Sequence, residues 1–243
     1  MLVAEGGETA RRRVAAPGST IKPLSLLALL DNKKLTSAEE YFCPGRLVLE
    51  GHALSCSHPY VGVPMNVSRA LAYSCNCAVA YFAQRFEGGE LAEYLRRGGL
   101  CSRTGLLTGE EATGRVDDAA GPRRQLQALG EAGVYVTPLE LLAFYRRLAL
   151  RAGERRMSSI VEGLEGAVEF GTAQAARVAG VRVAGKTGTV RTSTGAHAAW
   201  FAGFAPSRAP EAAAVVLVEG RSGGADAAPL GGRLLQRYFK GRA

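Results

Sequence analysis

The stretch Pro17-Gly18-Ser19-Thr20-Ile21-Lys22-Pro23 stands at the head of an apolar run, and the rest of the chain is organised around it. If Ser19 opens a helix there, Ser19 and Lys22 lie on one face, because residues three apart are neighbours on a helix surface. The unpaired N–H groups at a helix start favour negative charge. The hydroxyl is therefore a candidate nucleophile with an amine beside it. A buried helix ending near Asp31 is predicted by the leucines that follow: Leu24, Leu26, Leu27, Leu29 and Leu30.

A serine three residues before a lysine is common by itself, since an N-cap serine followed by a solvated lysine gives the same pattern. A second stretch, Ser74-Cys75-Asn76, lies between two predicted helices, Asn66 to Ala72 and Ala78 to Arg85. Residues two apart on a helix do not face the same way. For Ser74 and Asn76 to point into one cleft, the segment must be a turn, and we predict one.

A third stretch, Lys186-Thr187-Gly188-Thr189, lies on a predicted strand. The two-residue period of a strand puts Thr187 and Thr189 on one face and Lys186 and Gly188 on the other. Gly188 lets another backbone approach closely. An edge strand can pair with an extended peptide through its main chain, and hydroxyls beside a lysine suit a terminal carboxylate.

The overall pattern predicts an α+β fold, an antiparallel sheet flanked by helices with an all-helical lobe. We expect a single domain over residues 1–243, with the helical lobe at roughly 24–176 and the sheet lobe built from N-terminal strands plus 180–243. A hairpin around Glu5-Gly6-Gly7-Glu8 would supply those N-terminal strands. The other expected elements are a helix opened by the capping box of Thr137 and Glu140, a three-strand meander (181–190, 197–205, 212–219) and a closing helix (230–239).

The three motifs occur in the order Ser-x-x-Lys, Ser-x-Asn, Lys-Thr-Gly, a set associated with penicillin-binding proteins and related β-lactamases. With Gly130 to Leu142 and Gly185 to Pro206, they make the chain resemble the transpeptidase domain of penicillin-binding proteins along nearly its whole length. The resemblance implies the fold expected above.

The resemblance implies that Ser19 is the nucleophile and that Lys22 takes its proton. Since a lysine at its ordinary pKa is a poor base near neutrality, we expect burial and the charge of Lys186 to lower the pKa of Lys22. Ser74 would relay the proton to the leaving amine, and Asn76 would hold Lys22 and the substrate amide.

By the same resemblance, Lys186, Thr187, Gly188 and Thr189 form the substrate-binding strand, with the lysine and the two hydroxyls on the substrate carboxylate. The backbone N–H groups of Ser19 and Thr189 would form the oxyanion hole. No cofactor is implied, and we assign no metal ligand in this catalytic set.

The implied function is a penicillin-binding acyl-serine D,D-transpeptidase or D,D-carboxypeptidase that acts on D-Ala-D-Ala stem peptides of peptidoglycan and cross-links the cell wall. β-Lactam antibiotics would acylate Ser19 and remain bound. Two alternatives stay open: a class D-like serine β-lactamase with a carboxylated Lys22, and a binding domain that senses β-lactams or peptidoglycan.

The composition and charge of the chain limit the kinds of binding partner that we expect. The chain has 243 residues, of which 47% are hydrophobic and 21% charged, which is typical of a globular protein. The net charge of +8 comes from scattered residues without aromatic interleaving, so we expect no nucleic-acid partner.

The implied site of action is the cell envelope or periplasm, outside the cytoplasm. We expect the export signal and any membrane attachment to belong to a segment not in this chain, because no run here is long and apolar enough.

The cysteines are odd in number, so at least one is unpaired within the chain: Cys43, Cys56, Cys75, Cys77 and Cys101. Cys43 and Cys56 bracket a short Gly-containing segment that could form a hairpin. Three interpretations are open: no site, a disulfide, or a metal site joined by His52 or His58. With His197, these histidines fit no serine-histidine triad, because no Gly-x-Ser-x-Gly turn surrounds any serine; we expect them in loops or on the surface.

Overall fold

The computed structural model describes residues 7–59, 62–192 and 194–241, and helices dominate it up to about residue 170. The helices are α1 (Gly7–Arg12), α2 (Lys22–Asp31), α3 (Val67–Ala72), α4 (Asn76–Ala83), α5 (Glu90–Arg97), α6 (Arg123–Leu129), α7 (Pro138–Leu150), α8 (Ser158–Glu169) and α9 (Ala228–Lys240). The strands are β1 (Arg46–Leu49), β2 (His52–Ser55), β3 (Arg115–Val116), β4 (Val134–Tyr135), β5 (Ala184–Arg191), β6 (His197–Ala205) and β7 (Ala212–Gly220).

The helix predicted after Pro17 begins later than expected. A 3₁₀ turn, Gly18–Ile21, carries Ser19, and the α-helix α2 starts only at Lys22. Gly18 has a φ of 52°, a left-handed backbone that glycine adopts without steric cost. Pro23 falls in the first turn of α2, where its missing N–H costs little. The predicted leucines make α2 a buried central helix that ends at Asp31.

The C-terminal meander is confirmed. Strands β5, β6 and β7 form an antiparallel sheet in that order, with Lys186 opposite Ala202 and Thr189 opposite Ala199. Helices α8 and α9 pack against this sheet together with α7. The sheet is thus flanked by helices, as the α+β prediction requires.

The predicted N-terminal hairpin is wrong where the structure describes it. Glu5 and Gly6 lie outside the described residues, but Gly7–Arg12 forms the helix α1. An ion pair of 3.0 Å joins Glu8 to Arg12 one helical turn later, and each charge suits its end of the helix dipole. The only strand-like pairing near this end that the described residues make is a single bridge between Ala15 and Val136. From residue 7 onward, where the structure describes this end of the chain, no N-terminal strand joins the sheet of β5, β6 and β7.

The start of α7 confirms the predicted capping box. The Thr137 hydroxyl accepts a hydrogen bond from the Glu140 N–H at 3.1 Å, and the Glu140 carboxylate accepts one from the Thr137 N–H at 2.8 Å. Pro138 occupies the first turn. The same carboxylate accepts from the Gly114 N–H at 2.9 Å, so the cap also fixes the preceding loop.

Two short antiparallel strand pairs accompany the helices. Strands β1 and β2 pair from Arg46 opposite Ser55 to Leu49 opposite His52, which confirms the hairpin expected between Cys43 and Cys56. Strands β3 and β4 form a second antiparallel pair, and helix α6 lies in the connection between them. Within the described ranges, none of the helices combines the length and apolar character needed to span a bilayer.

The main hydrophobic core is shared by the helices and the sheet. Ile21 and Leu24 of the helical part belong to the same buried cluster as Trp200 and Phe204 of β6. The Trp200 indole N–H donates to the Ala16 carbonyl at 2.9 Å, which ties the sheet to the segment just before Ser19. A second cluster, with Phe201 and Leu235, lies between the sheet and α9.

Candidate active site

The turn that carries Ser19 is held from both sides. The Thr20 hydroxyl donates to the Pro17 carbonyl at 2.7 Å, and the buried Tyr145 hydroxyl of α7 donates to the Thr20 carbonyl at 2.9 Å. On the sheet side, a Cβ added to Gly188 would lie 2.6 Å from the Pro17 oxygen. The turn therefore rests directly on β5, and only a residue without a side chain permits that approach.

Lys22 is fully buried, and its ammonium points at the Ser74 turn. Its Nζ donates to the Ser74 carbonyl at 2.8 Å, to the Asn76 Oδ1 at 2.6 Å and to the Ser74 Oγ at 3.3 Å. A 3₁₀ turn has three residues per turn, so Ser19 and Lys22 lie on the same side of the chain.

Ser74 and Cys75 lie in the predicted turn between α3 and α4, and Asn76 is the first residue of α4. Ser74 has a φ of 55°, an uncommon left-handed conformation for a residue other than glycine. Cys75 is the N-cap of α4, and its Sγ accepts from the Ala78 N–H at 3.4 Å. The Asn76 amide donates to the Ser55 carbonyl at 2.9 Å, which attaches the turn to the end of β2.

Lys186 of β5 reaches the same hydroxyl from the sheet side. Its Nζ is fully buried and donates to the Ser74 Oγ at 2.8 Å and to the Thr187 carbonyl at 3.1 Å. Three segments far apart in sequence thus meet around Ser74, with one lysine from each side of the cleft.

Burial governs the charge state of both lysines. Burial lowers the pKa of Lys22 to about 8. Burial lowers the pKa of Lys186 well below its ordinary value, and the positive charge of Lys22 lowers it further. The direction expected for Lys22 is therefore found, but the charge effect falls on Lys186: two desolvated amines that share one hydroxyl do not both stay protonated near neutrality.

The threonines of β5 have partners on the other face of the strand. The Thr187 hydroxyl donates to the Thr172 hydroxyl at 2.9 Å, beside the break after α8. The Thr189 hydroxyl accepts from the Gly223 N–H at 3.0 Å, although the residue itself is exposed. The structure brings Lys186 and Gly188 to the Ser19 and Ser74 turns, and leaves both threonine hydroxyls on the opposite side of the strand.

The Ser19 hydroxyl stays available. Ser19 is half-buried, and within residues 7–59, 62–192 and 194–241 its side chain forms no hydrogen bond. Lys22 is thus near Ser19 in the turn but is occupied with Ser74 and Asn76. Catalytic hydrogen bonds are often long before substrate binds, so this arrangement is compatible with a nucleophile and its base.

Several contacts of the site are not readable from the sequence. Tyr145 lies within the sequence of α7, and nothing in its spacing indicates a bond to the Ser19 turn. Thr172 and Gly223 belong to no sequence motif that would indicate a role at the site. Their link to β5 depends on how distant segments pack, which local pattern does not encode.

Among the described side chains, no cysteine or histidine forms a hydrogen bond with the Ser19 hydroxyl. No disulfide joins Cys43 to Cys56: their Sγ atoms are 3.6 Å apart, and a disulfide bond is about 2.05 Å. His197 begins β6 opposite Arg191, and the side chain of His52 lies outside the described part. The Nε2 atom of His58 lies 3.7 Å from the Sγ atom of Cys43.

Comparison with known proteins defines the class. The family model described as "Penicillin binding protein transpeptidase domain" matches residues 8–236, and the chain belongs to that family. Among solved structures, Pseudomonas aeruginosa PBP2 in complex with WCK 5153 is similar in fold, with a TM-score of 0.83 at 23% identity over 95% of this chain and 62% of that chain.

Curated relatives agree with the family. Stage V sporulation protein D of Bacillus subtilis is 26% identical over 90% of this chain and 41% of its own length. Peptidoglycan D,D-transpeptidase PbpA of Mycolicibacterium smegmatis is 28% identical over 88% of this chain and 53% of its own length. The chain therefore spans about half the length of the curated relatives it matches.

Proposed function

We propose that this protein is an acyl-serine D,D-transpeptidase that acts on D-Ala-D-Ala stem peptides and cross-links peptidoglycan. The observation that carries the proposal is the convergence of two buried lysines on one hydroxyl, Lys22 at 3.3 Å and Lys186 at 2.8 Å from Ser74 Oγ, beside the Ser19 turn. Family membership and the printed name of the PbpA relatives, peptidoglycan D,D-transpeptidase, support the same reaction.

The proposed acylation begins with proton transfer. Neutral Lys22 takes the proton of the Ser19 hydroxyl as its oxygen attacks the carbonyl carbon of the penultimate D-Ala. A C–O bond forms, the carbonyl becomes an oxyanion, and the oxyanion collapses as the C–N bond to the terminal D-Ala breaks. Ser74 passes a proton to the departing amine. An amine of a second stem peptide then takes the acyl group from Ser19; water in its place would give D,D-carboxypeptidase activity.

The proposed substrate pose uses β5. The extended stem peptide lies along the outer edge of this strand, and Lys186, Thr187 and Thr189 bind its terminal carboxylate. Because the threonine hydroxyls already pair with Thr172 and Gly223, substrate binding would exchange these partners. Backbone N–H groups of Ser19 and Thr189 would hold the oxyanion, each worth roughly 3 kcal/mol in other hydrolases.

The proposed setting is the outer face of the cell, in the cell envelope or periplasm, where peptidoglycan lies. We propose no nucleic-acid partner, because the charge of +8 is spread along the sequence rather than gathered into a stripe.

β-Lactam acylation tests the proposal. A penicillin added to the purified protein should increase the intact mass by one β-lactam on Ser19, and the adduct should persist for hours. Ser19→Ala should remove the adduct, whereas Ser37→Ala, at an exposed serine, should leave it unchanged.

Two outcomes contradict the proposal. Equal acylation of the Ser19→Ala variant and the wild type would exclude Ser19 as the nucleophile. An adduct that clears in seconds would favour the β-lactamase alternative, while a stable adduct without turnover of a D-Ala-D-Ala peptide would favour the sensing domain.

A further inference from the structure

Three cysteines and a histidine from separate segments converge beside the Ser74 turn. The Cys56 Sγ lies 3.6 Å from the Cys43 Sγ and 3.7 Å from the Cys75 Sγ, and the His58 Nε2 lies 3.7 Å from the Cys43 Sγ. All four atoms lie within 4.8 Å of one another. We propose that Cys43, Cys56, His58 and Cys75 bind a soft divalent cation, Zn²⁺ by the chemistry of the set, and fasten the β1–β2 hairpin to the Ser74 turn.

The separations fit a tetrahedral site. With Zn–S bonds of about 2.3 Å, two sulfur ligands of a tetrahedron lie about 3.8 Å apart. The separations of 3.6 and 3.7 Å are close to that value. Three thiolates and one imidazole are a common ligand set of structural zinc, with four protein ligands and no open position.

His58 is in the tautomer that a metal requires. Its Nδ1 lies 2.8 Å from the Pro59 carbonyl, and since a carbonyl oxygen only accepts, Nδ1 carries the proton. The lone pair of Nε2 therefore faces the sulfur cluster. A ligating histidine usually donates its other N–H to a backbone carbonyl in this way.

Backbone groups around the cluster favour thiolates. The Gly45 N–H donates to the Cys43 Sγ at 3.3 Å, and the Ala78 N–H donates to the Cys75 Sγ at 3.4 Å. The Cys77 Sγ lies 3.5 Å from the Cys56 Sγ but is not one of the four converging ligand atoms, so it belongs to the surrounding shell. Backbone N–H donors such as those of Gly45 and Ala78 orient the ligating side chains and stabilise their negative charge.

The position of the cluster gives the cation a task at the active site. Cys43 precedes β1, Cys56 follows β2, and Cys75 lies between Ser74 and Asn76, so one ion would join the hairpin to the turn. The Asn76–Ser55 bond of 2.9 Å already links the same two segments. Ser74 keeps a left-handed backbone, which needs such external support. The cation binding stands on geometry alone; its positioning of Ser74 rests on the proposed function.

Metal content tests the site directly. The full chain, purified without added chelator, should retain stoichiometric zinc by mass spectrometry of the elements. Co²⁺ in place of zinc should give a thiolate-to-metal charge-transfer band and the visible bands of a tetrahedral ion. Cys43→Ser and His58→Gln should each lower the zinc affinity by more than about tenfold. Cys101→Ser, a matched variant at a free cysteine outside the cluster, should bind zinc like the wild type.

Failure of folding and failure of the proposed function are kept apart by further readouts. Far-ultraviolet circular dichroism identifies a variant that does not fold, and His58→Gln, at a residue beside a loop, is the second variant should a cysteine variant fail. Chelation should slow β-lactam acylation at least several-fold, with recovery on adding Zn²⁺.

A wild-type protein that retains no zinc and gives no charge-transfer band with Co²⁺ would overturn the cation site. A Cys43–Cys56 disulfide in that protein would overturn it as well, as would equal zinc loss in Cys101→Ser. If the protein binds zinc but chelation leaves the rate of β-lactam acylation unchanged, the proposed positioning of Ser74 by the cation is wrong. Zinc bound without any adduct on Ser19 would instead contradict the proposed function.

Discussion

At the scale of the residue, the site depends on two amines competing for one hydroxyl. Lys22 and Lys186 both donate to Ser74 Oγ from buried positions, and desolvation disfavours the charged form of each. A proton on one amine raises the cost of a proton on the other. Near neutral pH the uncharged amine is therefore Lys186, whose pKa is lowered the more, and Lys22 reaches the neutral form that a base must have only above about pH 8.

The pH dependence of acylation follows from this packing. Because the pKa of Lys22 is lowered to about 8, most of its population is protonated below that pH and cannot take a proton from Ser19. We expect the second-order rate constant for β-lactam acylation to fall about tenfold per pH unit below about pH 8 and to level off above it. Stopped-flow measurement with a chromogenic β-lactam checks this.

The control for this pH profile is a circular dichroism spectrum at each pH, which shows that the fold is unchanged. A rate constant that stays flat from about pH 6 to about pH 10 would exclude a base with this pKa.

At the scale of the element, the sequence predicts the start of a helix or strand well where neighbouring residues determine it. The capping box of Thr137 and Glu140 and the proline between them fix the start of α7, and the structure begins the helix at Pro138. The N-terminal hairpin fails because Gly6-Gly7 indicates a turn, whereas Glu8 and Arg12 pair along a helix. The sequence does not predict the 3₁₀ turn at Ser19. This turn packs on β5, a contact that the local sequence pattern does not indicate, and α2 begins only after it.

The cap of α7 carries a measurable share of stability. Thr137→Ala removes the hydroxyl that accepts from the Glu140 N–H, and a lost N-cap costs about 0.5–2 kcal/mol. We expect the urea midpoint of unfolding to fall while the dependence of the unfolding free energy on urea concentration stays the same. Circular dichroism during urea titration measures both.

Thr137→Ser is the matched control, since it keeps the hydroxyl and should keep most of the free energy of unfolding. Identical midpoints for the alanine and wild-type proteins would show that Glu140, held also by Gly114, caps the helix unaided.

At the scale of the whole molecule, the resemblance predicts that the three motifs meet in one site, but spacing alone does not show which atoms meet. Spacing along a chain does not tell that Lys22 and Lys186 reach the same atom, or that Cys75 joins Cys43 and Cys56. The pairing of Thr187 with Thr172 is of the same kind. Such contacts depend on how the helical part packs on the sheet, and local pattern carries no information on that packing.

One shared core predicts one unfolding transition. Trp200 is the single tryptophan of the chain, and it is buried in the cluster that also contains Ile21 and Leu24. Its fluorescence should therefore change together with the helical circular dichroism signal as urea rises, because the helical part and the sheet lose their common core at once.

Separate midpoints for fluorescence and circular dichroism would contradict the single domain expected over residues 1–243. Repeating the titration with excess Zn²⁺ guards against mixed metal occupancy, which would broaden a transition by itself.

The outer edge of β5 has a consequence for behaviour in solution. In the three-stranded sheet of the described chain, β5 pairs only with β6, so no strand covers its other side. Many proteins blunt such an edge, since it invites strand-to-strand aggregation between copies. An edge meant to receive an extended peptide cannot be blunted in that way. Self-association at high concentration is thus a liability of the surface that we propose binds the substrate, and a bound substrate mimic would relieve it.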